Sequence, residues 1–283
     1  MTRDGWIGVL QAVAAAGLFS TGAILVRWAQ ALSPVQVTCL RLLLGGLFVG
    51  AAAWGSGERL RLHGSEYRRL VPIGLIAAAH FLTFISSLYF TSVAHSLTLT
   101  YTAPLFIAAL SRTVLRERLP RRALLGIAVG LAGVGILAGF EPTFSRRMLI
   151  GDLLAVAAAL SFALYSLLGR RERERIPLLT YACWVYLTAG VVLAPLALDL
   201  FNRPLAAGTL AAVVALALFP LALGHTLYNA ALRRLHASIP NLIATQEVTG
   251  GILLAWLLLR EAPSWNALVG AALTLVGVGL VLR

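Results

Sequence analysis

The sequence predicts an all-α integral membrane protein, with ten transmembrane helices built as two inverted-topology five-helix repeats around a central cavity. Three observations lead there. The composition is extremely apolar, ten stretches are long enough to cross a bilayer, and the chain repeats itself in halves that each hold an odd number of them. Of the 283 residues, 59% are Ala, Val, Ile, Leu, Met, Phe, Trp, Tyr or Cys, and a further 26 are Gly. Together that is about 68% of the chain, against roughly 45–50% on nearly the same count in soluble domains. Charged residues make up only 12%. A soluble fold could not solvate such a surface, and a disordered chain would be biased the other way.

A crossing helix needs about 20 largely apolar residues. Between charge clusters, Gly and Pro, the candidates run 6–29, 34–54, 70–90, 94–114, 122–140, 149–169, 178–199, 207–230, 237–259 and 264–282. The short connections leave no room for a soluble domain, so function must sit within the bundle. With a cytoplasmic N-terminus, seventeen of the 23 basic residues fall on the cytoplasmic side, around Arg3, Arg59–Arg69, Arg112–Arg122, Arg170–Arg175, Arg233–Arg234 and Arg283. Five fall opposite (Arg27, Arg146, Arg147, Arg203 and Arg260), and Arg41 lies inside the second span. That asymmetry is the positive-inside pattern of an inner-membrane, multi-pass protein with both termini cytoplasmic. The net charge of +12 therefore marks one membrane face, and no nucleic-acid partner is expected. Arg3 followed by Ala14, Ala15 and Ala16 could suit a cleavable signal. The same pattern recurs inside the chain, where no such signal can sit.

A shift of 143 residues lays the first span on the sixth. Ile7, Gly8, Leu10, Ala12 and Phe19 meet Ile150, Gly151, Leu153, Ala155 and Phe162, and Pro34 meets Pro177. A shift of 144 lays Leu115, Arg116 and Glu117 on Leu259, Arg260 and Glu261, and Gly126, Gly133 and Gly135 on Gly270, Gly277 and Gly279. Alanine matches alone arise by chance in such a composition; the proline, the LRE triplet and three glycines in register do not. The halves are expected at 1–142 and 143–283. Five spans is odd, so the second half enters the membrane from the opposite face, the inverted repeat found in many secondary transporters.

Two five-helix halves, each with an LRE-type terminus and a glycine-rich last helix, resemble the EamA family of the drug/metabolite transporter superfamily. The segments PLFIAALSRTVLRERL and GGILLAWLLLREAP carry the likeness, as do GIAVGLAGVGIL and GAALTLVGVGLVL. YddG-type amino-acid exporters are the most similar branch. The family pattern often places Pro in the middle of spans four and nine; Pro104 fits it and Val248 does not. The resemblance implies that the glycine-rich spans five and ten brace the bundle while the other eight surround the cavity.

Several chemistries are excluded or disfavoured. All 23 basic residues are Arg, which excludes a P-loop lysine and any Schiff-base cofactor. No HExxH or GxSxG motif occurs, and Asp4, Asp152 and Asp199 sit at span ends rather than as an intramembrane pair. An enzyme is not expected, nor is a cofactor or metal. Cys39 and Cys183 lie in apolar stretches and read as small buried fillers, and Trp6, Trp28, Trp54 and Trp265 read as interfacial belt residues.

Polar and aromatic residues inside spans are the candidates for a substrate site, because in a bilayer they must pair with each other, with water or with a ligand. They are His80 and Phe84 in span three, Tyr101 in span four, Tyr165 in span six and Trp184 in span seven. Spans eight and nine add His225, Tyr228 and Asn229, then Gln246 and Glu247. Glu247 is the only acidic residue deep in a span. It is either a hydrogen-bonded structural group or one that attracts a substrate ammonium or exchanges a proton. Arg41 either attracts a carboxylate, snorkels to the headgroups or pairs with a helix end. The expected partners are the bilayer and a small-molecule substrate, with a monomeric protein. A lining of aromatic, hydroxyl and amide groups with few charges suits small neutral metabolites, above all amino acids, moved by alternating access, and the family resemblance implies export; the alternative is efflux of lipophilic cations. A passive channel would instead need a continuous polar lining.

Overall fold

The computed structural model describes residues 3–114, 120–139, 145–202, 205–235, 240 and 243–282. Among them regular structure is entirely helical. In chain order the helices are α1 (Arg3–Ser20), α2 (Gly22–Trp28), α3 (Pro34–Gly55), α4 (Gly64–Phe90), α5 (Val93–Thr100), α6 (Ala103–Val114) and α7 (Arg121–Gly139). Then come α8 (Arg146–Arg175), α9 (Leu178–Leu193), α10 (Ala207–Leu216), α11 (His225–Leu232), α12 (Gln246–Leu259) and α13 (Trp265–Leu282). A 3-10 stretch, Ala194–Asn202, follows α9, and a π-helical stretch, Ala217–Gly224, joins α10 to α11. Six helical segments among the described residues are long and apolar enough to cross a membrane: Arg3–Trp28, Pro34–Gly55, Gly64–Phe90, Arg146–Gly169, Leu178–Leu198 and Ala207–Ala231. Gln246–Leu259 and Trp265–Val281 are shorter apolar helices. The first part of the ninth expected span lies largely outside the described residues.

Local chemistry explains where the helices depart from the apolar windows. α4 starts at Gly64, six residues before the expected boundary, because the Glu66 carboxylate accepts from the His63 backbone N–H at 2.8 Å and caps the extra turn. α8 runs on to Arg175, past the apolar window, and its buried Glu172 is paired with Arg69 at 3.1 Å. Three expected spans are interrupted midway. Ser20 and Thr21 turn their hydroxyls back on the carbonyls of Ala16 and Leu18, which weakens the helical ladder between α1 and α2. Pro104 has no N–H to return to Thr100, so α5 ends there and α6 restarts at Ala103. Pro220 sits in the π-helical stretch for the same reason.

Helices meet in a regular pattern. α4 packs along α8, α1 along α11 and α12, and α3 along α9. Across the α3–α9 contact, Leu43, Gly46 and Gly50 face Gly190, Leu187 and Cys183 in reverse order, so the two helices run antiparallel. The same holds for α5 and α12, where Leu97 packs on Gly251 and Tyr101 reaches Glu247. α7 and α13 cross antiparallel as well, Gly126 against Gly277 and Gly133 against Gly270. There the backbones touch. A Cβ on Gly133 would lie 2.6 Å from the Thr274 nitrogen and 2.7 Å from the Gly270 carbonyl oxygen. Gly133→Ala is therefore expected to cost about 1–3 kcal/mol of stability, the usual range for overpacking. Thermal unfolding in detergent checks this, with Gly135→Ala as control, since a Cβ there meets nothing within 4 Å.

One end of the bundle, at the α4–α5 turn, is tied by charge. Arg27 donates to the carbonyls of Leu88 and Thr91 and pairs with Glu261 at 3.1 Å. Arg260, in the left-handed region at φ 57°, ends α12 and turns Glu261 toward the Val93 N–H, which donates at 2.5 Å. Beside this pair, buried Asp152 accepts from Thr91 Oγ1 at 2.7 Å and faces His95 Nδ1 at 3.0 Å.

Candidate functional site

Where the interrupted helices converge lies a cavity of about 100 Å³. Its wall is rich in aromatic rings. Phe19 stands 4.8 Å from His225 and 6.2 Å from Tyr228 between ring centroids. Phe81 stands 4.9 Å from His80 and 6.0 Å from His225, and Phe162 lies 5.1 Å from His80. These edge-on and tilted arrangements are those the ring quadrupoles favour. His80 Nδ1 is 2.9 Å from the Ala158 carbonyl oxygen. A carbonyl only accepts, so Nδ1 carries a proton and Nε2 is the nitrogen left to face other partners.

Two charged side chains line this cavity, one from each half of the sequence. Arg41 enters from α3 and is only 4% exposed, so it does not snorkel to the headgroups. Its guanidinium lies over the Phe81 ring, 4.9 Å from the centroid, a cation–π contact. Its Nε and Nη1 are buried and have no hydrogen-bond partner among the described residues. Glu247 enters from the first turn of α12, and the Tyr101 hydroxyl donates to its Oε2 at 2.5 Å.

The structure gathers His80, Phe84, Tyr101, His225, Tyr228 and Glu247 at the cavity. It places the remaining sequence candidates elsewhere. Trp184 donates its indole N–H to the Leu60 carbonyl at 2.8 Å and stands edge-on to Tyr67, anchoring the α3–α4 connection. Tyr165 does not line the cavity; its ring stands 6.1 Å from that of Phe162, which does. Asn229 is half-buried beside Tyr228, and Gln246 is exposed beside Glu247; neither lines the cavity. Ser87, seven residues after His80 and so on the same face of α4, bonds Ser96 and holds α4 to α5. Lining residues outside the candidate set include Phe19, Phe81, Phe162 and Pro220. The repeat held a signal for two of them, since the 143-residue shift lays Phe19 on Phe162.

With this geometry in place, comparison with known proteins gives a consistent result. The model of the EamA-like transporter family matches twice, over residues 6–139 and 149–283. An uncharacterized transporter, YoaV of Bacillus subtilis (strain 168), is 22% identical over 251 residues, covering 87% of this chain and 86% of the relative. An uncharacterized transporter of Archaeoglobus fulgidus is 23% identical over 257 residues, covering 89% and 90%. A solved crystal structure aligns with a TM-score of 0.69 at 24% identity, over 96% of this chain and 95% of that one, a likeness of fold.

Proposed function

Because the chain belongs to the EamA-like transporter family, we propose that it exports small neutral metabolites, amino acids above all, by opening one central cavity to each side of the membrane in turn. The observation that carries this reading is the antiparallel pairing of helices that correspond in the two halves. α3 with α9 and α7 with α13 each run in opposite senses, as an inverted repeat of two five-span halves, 1–142 and 143–283, requires. In such a repeat the site lies at the junction of the halves, and the cavity is lined from both. The arginine asymmetry supports cytoplasmic termini in an inner membrane. A monomer fits the glycine faces of α7 and α13, which are spent on each other within one chain. Export follows the resemblance to amino-acid exporters.

Lipophilic cations are the second reading, favoured by an acidic group beside aromatic rings. One feature weighs against it: buried Arg41, which lines the cavity, repels a lone cation. Proteoliposomes offered a panel of labelled neutral amino acids, with and without an imposed pH gradient, are expected to show saturable flux. Purified protein stabilised by quaternary-ammonium dyes and indifferent to amino acids would reverse the ranking.

A further inference from the structure

We propose that Arg41 and Glu247 hold the two ends of a zwitterion, Arg41 its carboxylate and Glu247 its ammonium, with the aromatic wall against its side chain. This rests on the carrier reading and names the ligand chemistry of the same cavity. The argument starts from Arg41. A guanidinium cannot shed its proton in a protein, so its charge persists wherever the fold puts it. Buried donors without acceptors are costly, and the Phe81 ring answers the charge without accepting from Nε or Nη1. Those two nitrogens, on a side chain only 4% exposed at the cavity, form a donor set that lacks its acceptor. A charged N–H donor of this kind is the partner that suits a carboxylate oxygen.

Glu247 supplies the opposite requirement. Tyr101 donates to Oε2, a charge-assisted hydrogen bond from an uncharged group that orients the carboxylate without cancelling its charge. Arg41 and Glu247 thus balance across the cavity. A ligand with one charge of each sign satisfies both, an amine alone leaves Arg41 unanswered, and an acid alone leaves Glu247 unanswered. Since Arg41 stands on α3 and Glu247 on α12, the same ligand bridges the two halves.

The test compares L-leucine with L-leucinamide, which lacks the carboxylate, and 4-methylpentanoate, which lacks the amine. Each is titrated against thermal stability of the purified full-length protein. Leucine is expected to bind about 10–100-fold more tightly than either analogue, the range set by a hydrogen bond to a charged group. In Arg41→Gln, leucine and leucinamide should bind within about threefold of each other. Should that variant not fold, the wild-type ranking decides alone. Equal stabilisation by leucinamide or 4-methylpentanoate, or none by any of the three, overturns the anchors. The carrier reading fails separately, if no labelled neutral amino acid crosses proteoliposomes.

Discussion

Replacing Glu247 by Gln is expected to cut amino-acid flux in proteoliposomes at least about tenfold near neutral pH, roughly what one charge-assisted hydrogen bond contributes. The variant keeps the shape and the Tyr101 hydrogen bond acceptor but removes the only carboxylate that lines the cavity among the described residues. In the wild type, flux should fall on acidification, because a protonated Glu247 no longer attracts an ammonium. In Glu247→Gln the pH profile should be low and flat. The other titratable lining groups are His80, His225, Tyr101 and Tyr228, with Arg41 as the fixed charge; all of them remain in the variant, so a residual slope would be theirs. Tyr101→Phe keeps the carboxylate and loses one charge-assisted hydrogen bond, so a fall of about tenfold is expected. An unaltered pH profile in Glu247→Gln would return this residue to a structural role.

The largest loss of stability is expected at Asp152 rather than at the cavity. Its side chain is buried, accepts from Thr91 and faces His95, and joins α8 to the α4–α5 turn. Asp152→Ala removes one partner of a buried polar cluster, a change that costs about 3–5 kcal/mol when a charged pair is broken. Arg27→Ala breaks a pair whose side chains are 18% and 26% exposed, so water softens the loss. Thermal unfolding of both variants in detergent should therefore rank Asp152→Ala well below Arg27→Ala, with Asp152→Asn between. The reverse order would mean that the Arg27–Glu261 contact closes this end of the bundle and the aspartate merely fills it.

Much of this architecture could be read in advance because a bilayer leaves the backbone few choices. An apolar run of about 20 residues must be helical where lipid surrounds it, which is why the windows at 34–54 and 207–230 fall on helices. Ends governed by single hydrogen bonds, such as the Glu66 cap, lie beyond the reach of hydropathy. Six of the candidate site residues reach the cavity because a polar or aromatic side chain in a span must find a partner, and the cavity is where few are built in. Trp184 meets the same demand with the Leu60 carbonyl. Helical spacing shows which residues share a face and is silent on what that face meets. Phe19 and Phe162 were harder to see because one phenylalanine among apolar residues resembles any other; only their shared register marked them. Arg41 was visible as a buried charge, but its missing acceptors appear only once Phe81 is seen beneath it.

The three mid-span interruptions have a mechanical consequence. An unbroken helix resists bending through its chain of N–H to carbonyl links, whereas one already parted at Thr21, at Tyr101 or in the Ala217–Gly224 stretch gives way there first. All three joints sit at the level of the hollow. The portion of a rod beyond such a joint can thus tilt while the rest keeps its neighbours; α7 and α13 have no such joint among the described residues, so in the proposed alternation they would be the fixed reference.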